Sequence, residues 1–363
     1  MMIRRICSGP EPPEPILCRP VRDLETDPPV DTSHLQGFRL PGIVDLHVHG
    51  GFGWDFSFGD PDRLDTMLDG FLQAGLTGVV ATLITTSEEQ RCRALVDIAT
   101  VAARRRRPPA IMGIYLEGPF LAPARRGSHA ADLLRPPDLA ALRRWQELAR
   151  GMIRFVTIAP EWPGAIDLIR PIQDELKIRV AIGHTDADHA TAVAAFEAGA
   201  THVTHLYNAM RPFTHRDPTA VSAVLRHRNV LVELIADGIH VCPEIIQMTF
   251  SLLGPERISL ISDGVLPAGL PDGVYQAYGA TLELTDGRCT FQGGHLFGGG
   301  RLLLECIPLL VERVRLPLRT IASCLSFHPC HALGLDLPPG DVLLDRQFRW
   351  LATRFGDQWY WAE

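Results

Sequence analysis

Pro41-Gly42-Ile43-Val44-Asp45-Leu46-His47-Val48-His49-Gly50 reads as a short buried strand running into a glycine-rich loop. Alternation on a strand sends residues i and i+2 to one face, so His47 and His49 point together with Val48 opposed. Two imidazoles converging at a strand end suit a divalent metal. A pair of hydrogen-bonded histidines at a barrel mouth is the plainer alternative, and the motif alone does not choose between them.

Beyond this strand, short apolar runs alternate with helical patterns. Strands are expected at 42–49, 78–83, 111–116, 153–158, 178–183, 201–206, 229–235 and 258–262. Helices are expected near 60–74, 88–103, 137–149, 164–175, 187–198, 218–227 and 243–253, with a last one near 300–313 after an insertion. Eight strands alternating with eight helices predict an α/β fold, a (β/α)8 TIM-like barrel. A doubly wound open sheet is the alternative, but no Gly-x-Gly-x-x-Gly follows the first strand. Residues 320–334 read as short helices. Asp341-Val-Leu-Leu-Asp, Phe348-Arg-Trp-Leu-Ala-Thr and Gln358-Trp-Tyr-Trp read as strands that pair with the proline-rich segment 1–40. The division expected is a small β domain from 1–40 plus 335–363, and a barrel over 41–334.

The totals exclude several classes. At 363 residues, 46% hydrophobic and 21% charged, the chain can bury one large barrel core. A net charge of −7 gives no reason to expect nucleic acid or a membrane surface as partner. No stretch approaches the ~20 apolar residues of a membrane span, and no apolar segment follows Arg4 and Arg5 as in a secretory signal. Eight cysteines without a Cys-x-x-Cys pair read as reduced thiols of a cytoplasmic protein. The basic run Arg104 to Arg107 reads as a solvated last helical turn complementing the helix dipole.

Barrel enzymes carry catalytic groups at the C-terminal ends of their strands. Here the expected strands end at His47 and His49, Glu117, His184, His205 and Asp263. Five such endings meet around one mouth. Imidazole and carboxylate together suit Zn or Fe(II). Glu117, His184 and His205 as ligands would leave a position open for water, and Asp263 would be the general base and then acid. Some metal-dependent barrels bridge two ions with a carbamylated lysine; the single lysine, Lys177, precedes a strand at the opposite rim, so that bridge is not available. His34, His189, His202 and His227 stand apart from strand ends and read as structural.

The chain resembles the N-acetylglucosamine-6-phosphate deacetylases of the amidohydrolase superfamily. The resemblance rests on the opening stretch, Tyr115-Leu-Glu117-Gly-Pro-Phe120, Gly127-Ser-His129, Ala159-Pro-Glu161, Gly183-His184-Thr185, Thr204-His205-Leu-Tyr-Asn208-Ala209-Met210 and Ile235-Ala-Asp-Gly-Ile-His240-Val241. It implies Glu117, His184 and His205 as metal ligands, Asp263 as acid/base, and His129 as the residue that polarises the acetamide carbonyl. It implies that Ser128, Asn208, Ala209 and His240 contact the sugar phosphate, with Leu296, Phe297 and Gly298 on a loop touching the sugar. Arg216 is similar to an arginine that reaches the phosphate from a neighbouring subunit, which implies a homodimer. Members that keep a pair like His47 and His49 can hold a second ion, so one or two divalent ions per chain are expected.

The chain departs from the family at Asp263-Gly264-Val265-Leu266-Pro267, at Gly299-Gly300-Arg301-Leu302, and at His328-Pro329-Cys330. The expected activity is deacetylation of N-acetylglucosamine 6-phosphate to glucosamine 6-phosphate and acetate. The departures leave open N-acetylgalactosamine 6-phosphate or another N-acyl amino compound as substrate. A non-catalytic sugar-phosphate-binding protein is the alternative from another class; an intact acid/base set argues against it.

Overall fold

A computed structural model describes residues 37–362. Of the expected N-terminal β segment, Gly37–Pro41 is described; the remainder, with His34, lies outside the described residues.

The elements follow in chain order. β1 (Gly37–Pro41) leads into β2 (Ile43–Val48), then a two-residue hairpin of β3 (Gly50–Gly51) and β4 (Trp54–Asp55). There follow α1 (Pro61–Gln73), β5 (Leu76–Leu83), α2 (Glu88–Arg104), β6 (Ala110–Leu116), α3 (Leu139–Leu148) and β7 (Ile153–Ile158). Next come α4 (Ala165–Leu176), β8 (Arg179–Ile182), α5 (His189–Glu197), β9 (His202–Val203), α6 (Ala220–Arg226), β10 (Leu231–Ile235), α7 (Pro243–Leu253) and β11 (Ile258–Ile261). The chain continues through β12 (Gly273–Ala277), β13 (Ala280–Thr285), β14 (Arg288–Phe291) and β15 (His295–Gly299) to α8 (Ile307–Glu312), α9 (Leu318–Leu325) and α10 (Phe327–Ala332). It ends on β16 (Asp341–Asp345), β17 (Trp350–Phe355) and β18 (Gln358–Trp361).

Eight strands form one parallel sheet in the order β11-β10-β9-β8-β7-β6-β5-β2. Its two edge strands meet through Asp45. The buried Asp45 carboxylate accepts from the His47 N–H at 3.2 Å and the Ser262 N–H at 3.3 Å, and the Asp263 N–H reaches the His47 carbonyl at 3.0 Å. Burial pushes the Asp45 carboxyl up to about 7, against these donors and the Ser262 hydroxyl. This clasp closes the barrel and sets His47 beside Asp263, so the α/β barrel expected from alternation is the one observed. The strand expected at 201–206 is the shortest, with only His202–Val203 in the ladder.

Inside, Leu46, Val80, Tyr115, Phe155, Ala181, Ile235 and Ile261 fill the barrel, and Ala332 of α10 packs against them from below. The helices bury their apolar stripes against the outside. On α1 these are Leu64, Met67, Leu68, Phe71 and Leu72, spaced for one helical face. Helix starts carry side-chain caps, as where Ser87 accepts from the Gln90 N–H at 3.2 Å and Asp188 from the Thr191 N–H at 2.8 Å.

The basic run corrects its sequence reading. Arg105 is buried, not solvated: it donates to Asp69 at 2.8 Å and the Pro108 carbonyl at 2.7 Å, and pairs with Asp65. Asp65 and Asp69 stand one turn apart on α1 and face the end of α2, and Arg107 joins them at 2.7 Å. The run therefore clamps α1 to α2.

Two antiparallel sheets flank the barrel. The terminal one has the order β1-β16-β17-β18, as expected from pairing between the two ends of the chain. The other, β12-β13-β14-β15, is the content of the insertion, for which no strands are expected from sequence. It docks through Phe297, Leu282, Leu284 and Ala277 onto Ile84, Val265 and Leu266. The Tyr278 hydroxyl donates to the buried Asp55, and the Tyr278 ring packs at a tilt between Phe58 and Phe297.

Candidate active site and metal centre

At the C-terminal mouth, one carboxylate is ringed by imidazoles. Glu117 follows β6, and its Oε1 lies 2.8 Å from His205 Nε2, 3.2 Å from His184 Nε2 and 3.5 Å from His47 Nε2. Its Oε2 lies 3.1 Å from both His49 Nε2 and His129 Nε2. Asp263, after β11, places Oδ1 at 3.4 Å from Nε2 of both His47 and His49. All are buried. His184, His205 and Asp263 have positive φ (46°, 25° and 51°), so the chain turns in a left-handed step as each strand ends. For residues other than glycine that costs roughly 1–3 kcal/mol, and such strain collects at functional sites.

Hydrogen bonds behind the rings fix which nitrogen faces the centre. His184 Nδ1 lies 2.9 Å from the Arg125 carbonyl, which can only accept, so Nδ1 bears the proton and Nε2 offers a lone pair. His47 Nδ1 donates in the same way to Glu233 Oε2 at 2.9 Å, leaving Nε2 directed inward with no hydrogen-bond partner. Asp263 Oδ1 is likewise buried and without one. His129 is the reverse case. The Thr85 N–H donates to its Nδ1 at 3.3 Å, with the Thr85 hydroxyl at 2.8 Å, so Nε2–H is the donor facing Glu117. Burial pushes His129 down to about 4, so it is neutral at pH 7. His184 and His47 are therefore placed to ligate through Nε2, and His129 to donate; His49 and His205 also turn Nε2 toward Glu117.

The donor set fits a divalent cation. Buried ligand atoms converge as His47, His49, Glu117 and Asp263, and again as Glu117, His129 and His184. Glu117 belongs to both groups. Without an ion, the carboxylates keep protons on the rings: burial opposes it, but Asp263 and Glu117 raise His49 to about 9. Against burial, Glu233 and Glu117 raise His47 well above its ordinary value. Burial also opposes ionisation of Glu117, yet His184 and His47 hold it well below the usual carboxylate range.

A raised histidine stabilises the fold fully below its unfolded value of 6.5, and that contribution is lost as pH rises through about 9. Chelator-treated protein is therefore expected to melt progressively lower between pH 6.5 and 9, by an amount equivalent to a few kcal/mol. Metal-loaded protein, with the same ring deprotonated and ligated, is expected to lack that slope; paired melts across this window check it.

A cavity of about 180 Å³ opens above the cluster. It is lined by His49, Glu117, Ser128, His129, His184, His205, Asn208, Ala209, His240, Asp263, Leu296, Phe297 and Gly298. Of the candidate residues only His47 and Arg216 are missing: His47 lies beneath, fully buried, and Arg216 sits on an exposed loop. Asp217 pairs with Arg211 at 2.9 Å, not with Arg216. His240 donates from Nδ1 to the buried Asp237 at 2.8 Å, which fixes its ring. Gly118 must be glycine: its φ is +96°, and a Cβ there would sit 2.1 Å from the Thr85 hydroxyl that holds His129.

Sequence reasoning missed Glu233, Thr85, Asp237 and Asp45. Glu233 had a readable signal, being the one charge inside the apolar run Val230-Leu-Val-Glu-Leu-Ile. Glu233→Gln is expected to weaken metal binding by about 10–100-fold, because the partner that sets the His47 tautomer is lost. Metal affinity measured by chelator competition checks it.

A parallel eight-stranded barrel with this rim of histidines and carboxylates defines a class, and the chain belongs to the amidohydrolase family, whose model matches residues 38–341. It is a hydrolase acting on amide bonds. Its relatives narrow the class. It is 36% identical over 310 residues to the N-acetylglucosamine-6-phosphate deacetylase of Bacillus subtilis (strain 168), covering 85% of this chain and 78% of the relative. It is 33% identical over 296 residues to the N-acetylgalactosamine-6-phosphate deacetylase of Escherichia coli O157:H7, covering 82% and 78%. A solved structure of the N-acetyl-D-glucosamine-6-phosphate deacetylase of Mycobacterium smegmatis, a mutant in complex with N-acetyl-D-glucosamine-6-phosphate, superposes with a TM-score of 0.83 at 33% identity. That match covers 89% of this chain and 87% of the other.

Proposed function

We propose that this chain deacetylates N-acetylglucosamine 6-phosphate, releasing glucosamine 6-phosphate and acetate, with Zn or Fe(II) bound at Glu117, His184 and His205. The observation that carries the reading is Glu117, shared by two groups of buried ligand atoms, with the neutral donor His129 on one side and Asp263 on the other. His47 and His49, with Asp263, would hold a second ion. A divalent ion in this setting supplies Lewis acidity, polarising a carbonyl and lowering the pKa of bound water towards ~7.

The residues do the rest. Asp263 takes the proton of the attacking water and delivers it to the leaving amine. His129 Nε2–H donates to the acetamide oxygen as charge builds there. Ile84, Val265 and Phe297 exclude water from the reacting face, and Ser128, Asn208 and His240 orient the sugar. Positive φ at His205, Tyr207 and Ala209 alternates with ordinary residues, a backbone pattern that can turn N–H groups toward an anion and suits the sugar's phosphate.

The enzyme acts as a homodimer in this reading. Phe213, Leu225, Met248 and Leu252 are between 41% and 57% exposed and line one apolar groove beside the loop of Arg216. The Arg216 side chain has no ion-pair partner among the described residues, so it is available to a neighbour's phosphate site. Arg216→Ala is expected to raise KM for the phosphorylated substrate by about 10–100-fold and leave the unphosphorylated sugar unaffected. A cytoplasmic setting fits the free thiols of the described cysteines. Among the described residues, no helix is long and apolar enough to cross a membrane.

The galactose epimer is the second reading, supported by the Escherichia coli relative and by Val265 and Gly298, which lie within or beside the departing stretches and line the cavity. Acetate release from both epimers, phosphorylated and not, with metal content measured on the same sample, tests the proposal. Absence of metal-dependent turnover on every acetamido sugar phosphate overturns it.

A further inference from the structure

Below the barrel, opposite the rim just described, a second cavity of about 390 Å³ lies at the N-terminal ends of β8 to β11. Arg179, Arg228 and Arg257 line it with His202, His328 and His331. One carboxylate, Glu256, is also present, but none of the three arginines has an acidic partner within ion-pair distance among the described residues. Glu256 acts on Arg257 only at longer range.

The cationic groups are held there by the fold. Arg257 is buried and spends its donors on backbone: Nη2 to the Val224 carbonyl at 2.7 Å and the His227 carbonyl at 2.8 Å, and Nε to the Val230 carbonyl at 3.2 Å. No carboxylate lies within ion-pair distance of it among the described residues. Arg179 has its guanidinium 5.9 Å from the Phe155 ring, and Arg228 is exposed. Arg228 repels Arg257, and Arg154 repels Arg179. His202 adds an independent sign. It is 4% exposed, its Nδ1 lies 2.7 Å from the Thr201 hydroxyl, and its Nε2 has no partner. Burial, reinforced by Arg179, keeps the ring neutral, pushed down to about 3. Where the Thr201 hydroxyl donates to Nδ1, Nε2–H is a buried donor without a partner, in a cavity lined by the three arginines together with Glu256, Gln173 and Asn229. Such a donor is costly to leave unsatisfied.

We propose that this cavity is a binding site for a small phosphate-class oxyanion, gripped by Arg179 and Arg228 and accepting from His202 Nε2. Guanidinium forks match the oxygens of a phosphate, and a dianion offsets the repulsion between Arg228 and Arg257. The site requires nothing of the reaction assigned to the rim, which lies at the other end of the strands.

The test titrates inorganic phosphate into the metal-loaded enzyme by calorimetry, with sodium chloride at matched ionic strength as control. Wild type is compared with Arg179→Gln and Arg228→Gln. Crystals soaked in tungstate, a heavy analogue of phosphate, locate the anion. Expected are tungstate density between Arg179 and Arg228, and phosphate binding weakened about tenfold or more in each variant. Turnover of the variants in phosphate-free buffer is expected to match wild type, showing that they fold. Tungstate at the metal rim alone, or phosphate affinity unchanged in both variants, overturns the proposal. Arg228 is exposed, so its variant reports even if Arg179→Gln is unstable.

Discussion

Asp263→Asn is expected to lower kcat by about 10²–10⁴-fold, the usual share of a general acid–base group. The change keeps the shape of the side chain and removes its ability to take a proton. In the native site Asp263 is well suited to that task. Burial alone would raise its pKa, but the His49 imidazole 3.4 Å away and the charges of His47 and His205 outweigh it and hold it below its ordinary value. The carboxylate is therefore ionised at neutral pH, as a base must be. Its Oδ1 also stands 3.4 Å from both His47 and His49, close enough to serve as a ligand of a second ion. Single-turnover acetate release and metal content, measured together, separate the two roles. Lost turnover with metal retained identifies a proton carrier. Metal lost in proportion to activity identifies a ligand, and kcat within tenfold of wild type removes Asp263 from the chemistry.

Much of the barrel was legible because its period is written twice, in apolar runs and in helical stripes. The strand expected at 153–158 and the helix at 243–253 match their observed bounds. The strand at 201–206 was overextended, because Thr204 and His205 read as strand but turn away: His205 has φ 25° to aim its ring inward. Here function overrides the local pattern. The inserted sheet escaped for another reason. Its strands alternate buried with exposed residues over four to six positions and lie among eight glycines from Gly273 to Gly300, so no periodic window is long enough to stand out.

Candidate residues at strand ends could be found because topology brings all strand ends to one mouth. Their supports were harder to assign. Glu233 and Thr85 act on His47 and His129 across sequence gaps of 186 and 44 residues, so even the lone charge of Glu233 in its apolar run does not name its partner. Arg105 shows the converse: four consecutive arginines look solvated, yet two carboxylates on another helix bury one of them. For Arg216, the sequence supplied the loop and its exposure; its proposed partner belongs to a second chain.

Glu117→Gln is expected to have the larger consequence for the metal. Removing the partner of a ligand typically costs 10–100-fold in affinity, so removing a ligand shared by both groups should exceed about 10²-fold. The carboxylate also supplies the negative charge that five nearby imidazoles face, within 2.8 to 3.5 Å. With a neutral amide in its place, His47 and His49 lose one of the charges that favour their protonation, and the two groups of ligands lose their common member. Metal analysis should then find no ion per chain, and acetate release should fall to background. His47→Ala with His49→Ala makes the informative contrast. If the pair holds a second ion, the double variant retains one ion per chain, at Glu117, His184 and His205. If metal content is one ion in wild type and unchanged in the double variant, the pair is scaffold, held by Glu233 below and Asp263 beside it. Loss of all metal from the double variant would mean instead that the centre is built on His47 and His49, and the assignment to His184 and His205 would fall.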